Sequence, residues 1–156
     1  MDYVSAVMFT GNVMHKLDTK GRVAIPASWR DAQDTTLRIL EATNDGYPIL
    51  KCYTMKSYAE MVLDIKSNAK ALGFTPVQIN KYLGEIFSRC FDAEVSNQGK
   101  LLIPKAQREY IKITENATIV GRGSYFEIWE PGNYEATRTP ETMAGMELDK
   151  VFGILA

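Results

Sequence analysis

A short pattern of charged, glycine and proline residues occurs twice in this chain of 156 residues. The first copy reads LDTKGRVAIP over residues 17–26, and the second reads VSNQGKLLIP over residues 95–104. The glycine and the proline are kept, whereas the carboxylate and the arginine of the first copy are replaced in the second. The corresponding residues are Asp18 with Ser96, Gly21 with Gly99, Arg22 with Lys100, and Pro26 with Pro104.

Each copy is also a basic segment within a protein of net charge −1. Residues 15–38 carry five Lys or Arg and three Asp, and residues 93–113 carry four Lys or Arg and two Glu, so each segment has a net charge of +2. These charges surround a tight turn and the start of a strand. A two-stranded ribbon with such a tip can enter the major groove of DNA. Several linked copies would bind more strongly than one.

The elements that position these charges are read from the same pattern. Gly21 and Gly99 follow polar residues and precede aliphatic runs, which predicts turns with positive φ at glycine and then short strands. Pro26 and Pro104 end the strands and suit the first turn of a short helix, ASWRDA in one copy and KAQREY in the other. Strand hairpins follow, around turns at residues 44–46 and 122–124.

Between the copies, two apolar stripes predict a helical hairpin. One stripe recurs every three or four residues over 55–72 and ends at Gly73; the second covers 79–90 after a capping pattern at 75–78. We expect plain packing of these stripes rather than a partner-binding groove. The tail after Pro140 is predicted to be helical.

Enzyme chemistry is poorly supported. His15 is the only histidine, and Cys52 and Cys90 lie far apart, which favours free thiols in a reducing cytoplasm over a disulfide framework or zinc spacing. The chain has neither a phosphate-binding nor a dinucleotide-binding glycine motif. We expect no cofactor, no metal and no small-molecule substrate. With no signal-like start and no apolar run of about 18 residues, we expect no membrane association.

The doubled motif resembles the MraZ family. LDTKGRVAIPASWR is similar to the Asp-x-x-Gly-Arg signature of that family with its aliphatic-Pro-x-x-x-Arg continuation, and VSNQGKLLIPKAQREY lies where the second copy belongs. The opening FTGNVMHKLD and the intervening helix pair are similar too. We divide the chain into a first repeat (7–58), a linking helical hairpin (59–86), a second repeat (87–134) and a C-terminal helical tail (135–156).

The resemblance implies an α+β fold, a duplicated swapped-hairpin (AbrB-like) β-barrel with an inserted helical hairpin and a C-terminal helix. It also implies a ring-shaped homo-oligomer that binds double-stranded DNA at promoter direct repeats. Such proteins regulate, and generally repress, the division and cell-wall gene cluster. We therefore expect a cytoplasmic, nucleoid-associated regulator.

The family motif is carried over residue by residue. We expect Arg22 and Lys20 to contact DNA, because a guanidinium donates two parallel hydrogen bonds to a guanine edge or a phosphate. An internal or subunit-interface ion pair is the other role open to Arg22. We expect Asp18 to orient Arg22 or to bind turn amides. The further candidates for DNA contact are His15, Lys16, Arg30, Lys100, Lys105 and Arg108.

The second copy departs from the signature. Ser96 can still accept a turn amide, and Lys100 can neutralise a phosphate but has no planar fork for a base. Two other functions remain open: an oligomeric scaffold or partner-binding protein with weakened DNA binding, and an enzyme acting on nucleic acid, for which no cofactor loop is present.

Overall fold

The computed structural model describes residues 8–30 and 35–154. Within them the chain forms eight strands, one 3-10 turn at Ala27–Trp29, and six α-helices. The strands are β1 (Asn12–Lys16), β2 (Arg22–Ala24), β3 (Thr36–Asn44), β4 (Tyr47–Thr54), β5 (Cys90–Glu94), β6 (Lys100–Leu102), β7 (Asn116–Gly121) and β8 (Tyr125–Trp129). The helices are α1 (Met55–Ala71), α2 (Pro76–Ser88), α3 (Lys105–Ile111), α4 (Pro131–Ala136), α5 (Pro140–Ala144) and α6 (Glu147–Phe152).

Six strands form one antiparallel sheet in the order β1-β7-β8-β4-β3-β5, and β2 pairs with β6 in a separate antiparallel ribbon. Each copy contributes a hairpin, β3–β4 or β7–β8, and the outer strand of each hairpin pairs with a strand from the other part of the chain. β1 lies beside β7, with His15 opposite Ala117, and β5 lies beside β3, with Phe91 opposite Ile39. The prediction of an α+β fold is confirmed in the form of a mostly antiparallel sheet with several helices.

The closed barrel that the resemblance implied is not found among the described strands. The six-stranded sheet is open, with β1 and β5 at its two edges. The strands β2 and β6 pair with each other outside this sheet.

The ribbon covers one face of the sheet. Alternate residues of a strand point to opposite faces, so Val23 of β2 and Leu101 of β6 both point inward and are completely buried. They join one apolar cluster with sheet residues that include Ile39 and Phe126. Burying an aliphatic side chain of this size contributes about 1.5–3 kcal/mol to stability. The packing of Val23 and Leu101 therefore stabilises the position of the ribbon against the sheet.

The local turn signals read from the sequence are found in the structure. Strands β3 and β4 are joined at Asp45 and Gly46, and β7 and β8 are joined through Gly123, all with positive φ. The predicted helix after Pro104 is α3, but after Pro26 only the 3-10 turn forms before Arg30 returns to extended backbone. The last residues of that predicted helix lie outside the described residues.

Trp29 explains why the chain turns inward after Pro26. Its ring is buried, packs edge-on against Phe9 at 5.6 Å between centroids, and lies 5.3 Å from the Phe126 ring. Its indole N–H donates to the carbonyl of Thr10 at 3.1 Å. The side chain therefore fixes where the following residue, Arg30, leaves the core.

The two predicted central helices form, and most residues of their apolar stripes are buried or half-buried. Thr54 and Thr75 cap α1 and α2 with reciprocal capping boxes, as the sequence pattern at 75–78 predicts for α2. Only Ser57 and Tyr58 of α1 and Leu83 of α2 are buried. Most other stripe residues are half-buried, whereas Leu72 and Phe87 are exposed, and the base of the hairpin packs against the sheet. The expectation of plain packing stays a prediction for the exposed tip of the hairpin.

The C-terminal tail is helical in two short pieces rather than one. Helix α5 ends at Gly145, and α6 begins after Met146. None of the α6 residues is buried.

Candidate nucleic-acid interface

The two motif turns share one backbone design. The amide of Gly21 donates to the carbonyl of Asp18 at 3.0 Å, and the amide of Gly99 donates to the carbonyl of Ser96 at 2.8 Å. Both glycines have positive φ, 80° and 76°, a region that suits glycine because other residues are strained there. This explains why glycine stands in both copies.

Asp18 connects the first turn to Arg22. Its Oδ1 accepts the backbone amides of Lys20 at 2.9 Å and of Arg22 at 2.8 Å, and its Oδ2 accepts Nε of Arg22 at 2.8 Å. The backbone amide of Arg22 first, and then its side chain, lower the pKa of Asp18. Asp18 thus binds turn amides and orients Arg22 at once, while the two Nη groups of a guanidinium remain as further donors.

The second turn keeps only part of this arrangement. The hydroxyl of Ser96 accepts a hydrogen bond from the amide of Lys100 at 3.1 Å. This bond corresponds to the one that Asp18 accepts from the amide of Arg22 in the first turn. A serine carries no charge to orient the cation that follows, so the side chain of Lys100 is not held as that of Arg22 is.

The register of the ribbon decides which side chains share its outer face. Arg22 lies opposite Leu102, and Ala24 lies opposite Lys100, with the buried Val23–Leu101 pair between them. The residues on either side of that pair in both strands, Arg22, Ala24, Lys100 and Leu102, therefore point away from the core. The outer face therefore carries one arginine, one lysine and an exposed leucine, with a motif turn at each end.

Two predicted DNA-contacting arginines lie against the turn glycines of the opposite copy. A Cβ added at Gly21 would fall within 3.0 Å of the Arg108 guanidinium, and one added at Gly99 would fall equally close to Arg30. Arg108 also donates from Nη1 to the carbonyl of Ile103. The guanidinium groups of Arg30 and Arg108 thus cover the turns of the other copy, next to the outer face of the ribbon.

Comparisons with known proteins identify the family. Residues 86–143 match a protein-family model described as "MraZ protein, putative antitoxin-like". A transcriptional regulator MraZ of Moorella thermoacetica is 30% identical over 128 residues, which cover 82% of this chain and 85% of its own. This chain belongs to the MraZ family. A transcriptional regulator MraZ of Acetivibrio thermocellus is 24% identical and covers 95% of this chain and 99% of its own, and one of Desulforamulus reducens is 28% identical and covers 82% and 85%.

The MraZ assignment comes from these sequence relatives and not from a solved structure. A solution structure from Pyrococcus horikoshii covers 82% of this chain and 89% of its own at 19% identity, but its TM-score is only 0.32. That value is too low for the likeness to carry an argument about the fold.

The remaining predicted residues lie around the same ribbon in this MraZ chain. His15 and Lys16 end β1 immediately before the first turn; His15 is half-buried and Lys16 is exposed. Lys20 is exposed within the turn itself. Lys105 begins α3 and lies 3.8 Å from Glu109, an ion pair so exposed that it contributes little to stability.

Leu102 was missed by the sequence reasoning. It is about half exposed and shares the outer face with Arg22 and Lys100. The alternation of the strand could have indicated this position, because Leu102 lies between the inward-pointing Leu101 and Ile103 and must point outward. Leucine is more often a core residue, so its type gave no indication of an exposed position.

The part of the chain that the structure describes offers no group of three or more His, Cys, Asp or Glu that could hold a metal. Within residues 8–30 and 35–154, no helix has both the length and the apolar character needed to cross a membrane.

Proposed function

We propose that this MraZ-family chain is a sequence-specific DNA-binding regulator that uses the outer face of the β2–β6 ribbon. One observation carries the proposal. The inner face of the ribbon is buried through Val23 and Leu101, so Arg22 and Lys100 lie on its opposite, outer face between two motif turns. A two-stranded ribbon of this kind fits the major groove of B-form DNA.

The two cations have different roles in the proposal. Arg22, oriented by Asp18 through Nε, contacts a guanine edge or a phosphate with its remaining donors. Lys100 has no such orienting partner and neutralises a phosphate. The first repeat then reads the sequence, and the second repeat contributes affinity.

The other cations of the surface supply phosphate contacts. Lys20 is the strongest of these candidates, because its side chain is exposed in the turn that Asp18 fixes. The remaining members of this set are His15, Lys16, Arg30, Lys105 and Arg108. Arg30 and Arg108 combine such contacts with covering the opposite turn.

The family membership supports the wider part of the proposal. The chain assembles into a ring-shaped homo-oligomer with a duplicated, AbrB-like swapped-hairpin fold of two repeats (7–58 and 87–134), a linking hairpin (59–86) and a tail (135–156). It binds promoter direct repeats and represses the division and cell-wall gene cluster from the cytoplasm, in association with the nucleoid. The relatives are named transcriptional regulators, which agrees with such a role.

Salt-titrated binding to the DNA upstream of the chain's own gene tests the proposal. Each phosphate contact releases counterions, so log K should fall with log salt by about 0.9 per contact. A scrambled fragment of equal length is the control and should bind more weakly at every salt concentration. A slope near zero, or equal affinity for both fragments, contradicts sequence-specific binding.

The second candidate is an oligomeric scaffold or partner-binding protein with weakened DNA binding. The observation that favours it is the exposed apolar surface of the α1–α2 hairpin, which includes Leu72, Phe74 and Tyr82. The same titration separates the two functions, because a scaffold binds DNA with no salt dependence or not at all.

A further inference from the structure

Leu102 places a large apolar side chain on the outer face of the β2–β6 ribbon. It is 48% exposed, whereas its strand neighbours Leu101 and Ile103 are completely buried. A single exposed leucine is ordinary on a protein surface and by itself indicates nothing. This leucine is informative because the register of the ribbon places it directly opposite Arg22.

The two ends of the ribbon carry different pairs of side chains. Arg22 of the first copy lies opposite Leu102 of the second, whereas Lys100 of the second copy lies opposite Ala24 of the first. A guanidinium is a planar fork and an ammonium group is a point charge. Leucine also projects much further than the single methyl group of alanine. The planar fork and the larger apolar side chain therefore lie together at the Arg22 end, although they come from different copies.

The spacing of this pair matches a short stretch of DNA. Side chains directly opposite each other in an antiparallel pair have Cβ atoms about 4.5–5.5 Å apart. Successive bases along a DNA strand are about 3.4 Å apart. With the outer face of the ribbon in the major groove, Arg22 and Leu102 therefore reach the same base pair or two neighbouring ones.

The chemistry of the major groove determines what Leu102 can contact there. Every base pair presents hydrogen-bonding groups in this groove, and thymine alone adds a methyl group. The side chain of Leu102 has no polar atom, so it gains affinity by covering that methyl group. Over a purely polar base edge it would displace water without replacing the hydrogen bonds that the water made, which costs free energy. A leucine at this position therefore favours thymine.

We propose that Leu102 is a specificity-determining residue, and that it contacts the C5-methyl group of a thymine at, or next to, the base pair that Arg22 reaches. This inference rests on the proposed function, and it adds one base-reading residue from the second repeat to the contact made by Arg22. The recognised DNA then contains a thymine within one base step of the Arg22 contact.

Deoxyuridine in place of thymine tests the contact, because it removes the methyl group and keeps the base pairing. Wild type and Leu102→Ala, each bound to the upstream DNA and to its deoxyuridine copy, form a double-mutant cycle. We expect deoxyuridine to weaken wild-type binding about fourfold for each methyl group covered, which corresponds to about 0.8 kcal/mol for one buried methyl-sized group. The affinity of Leu102→Ala should not respond to deoxyuridine. Leu63→Ala, at an exposed leucine of α1, is the matched control and should respond as the wild type does.

The outcomes separate this inference from the proposed function. Equal weakening of wild type and Leu102→Ala indicates that deoxyuridine acts through the DNA itself, and it overturns the inference. A wild type that prefers the upstream DNA over the scrambled fragment but does not respond to deoxyuridine also overturns it, while the proposed function stands. A wild type without that preference contradicts the proposed function, and the inference fails with it.

Discussion

The close approach of Arg108 to Gly21 predicts an added cost, beyond backbone strain, for placing a methyl group at this position. In Gly21→Ala the new Cβ cannot coexist with the Arg108 guanidinium, which must move and release its hydrogen bond to the Ile103 carbonyl. Alanine is also strained at φ 80°. Two separate penalties therefore fall on one substitution.

Gly46 provides the matched control. It has φ 82° in the β3–β4 turn, but an added Cβ there meets nothing within 4 Å. Gly46→Ala should therefore cost only the backbone strain, about 1–2 kcal/mol. Gly21→Ala should cost that amount plus roughly 0.5–1.5 kcal/mol for the lost hydrogen bond, because only the flexible end of the Arg108 side chain has to move.

The assay is urea unfolding of both variants, repeated for Gly21→Ala in an Arg108→Ala background. Without the guanidinium, the cost of Gly21→Ala should fall to that of Gly46→Ala, since only the backbone strain remains. Equal costs for the two glycines in the wild-type background, or an unchanged Gly21→Ala cost in the Arg108→Ala background, would refute the idea that Arg108 covers this turn.

Two further predictions concern charges. The pKa of Asp18 is lowered in the folded chain, so the Asp18 carboxylate stabilises the fold above its ordinary pKa of 3.8. That stabilisation is lost as the pH falls through the lower pKa of the folded chain. The difference in urea midpoint between wild type and Asp18→Asn, measured from pH 7 to pH 3, should therefore narrow below about pH 4. Glu127 is 1% exposed and its Oε1 accepts Nε of Arg122 at 2.8 Å and the indole N–H of Trp129 at 3.0 Å. Arg122 itself is 37% exposed, so Arg122→Met should cost about 1–3 kcal/mol in urea unfolding, because it leaves the buried Glu127 carboxylate with one charged donor fewer. A variant as stable as the wild type would contradict this role of Arg122.

The local features of the fold could be read from the sequence because their causes are local. Glycine at positive φ, proline at a strand end and the Thr75 capping box each act within four residues of themselves. The turns at Gly21 and Gly99 were predicted for that reason.

Features that depend on long-range pairing could not be read in the same way. Nothing near Arg30 in the sequence indicates that its guanidinium lies against Gly99, because that contact exists only once β2 pairs with β6. The periodicity of α1 and α2 indicated an apolar face, but periodicity does not say what covers it. The exposed position of Leu102 likewise depends on knowing that its neighbours point inward.

The most direct test of the central claim compares Arg22→Lys with Lys100→Ala in competition binding between the chain's own upstream DNA and a scrambled fragment. Arg22→Lys keeps the charge and removes the planar fork, so it should lower the preference for the upstream DNA by roughly 5- to 150-fold, which corresponds to about 1–3 kcal/mol for one bidentate base contact. Lys100→Ala should leave that preference unchanged, weaken binding to both fragments and reduce the salt slope by about 0.9. Equal losses of preference in the two variants, or no loss in Arg22→Lys, would contradict the claim that the first repeat reads the sequence.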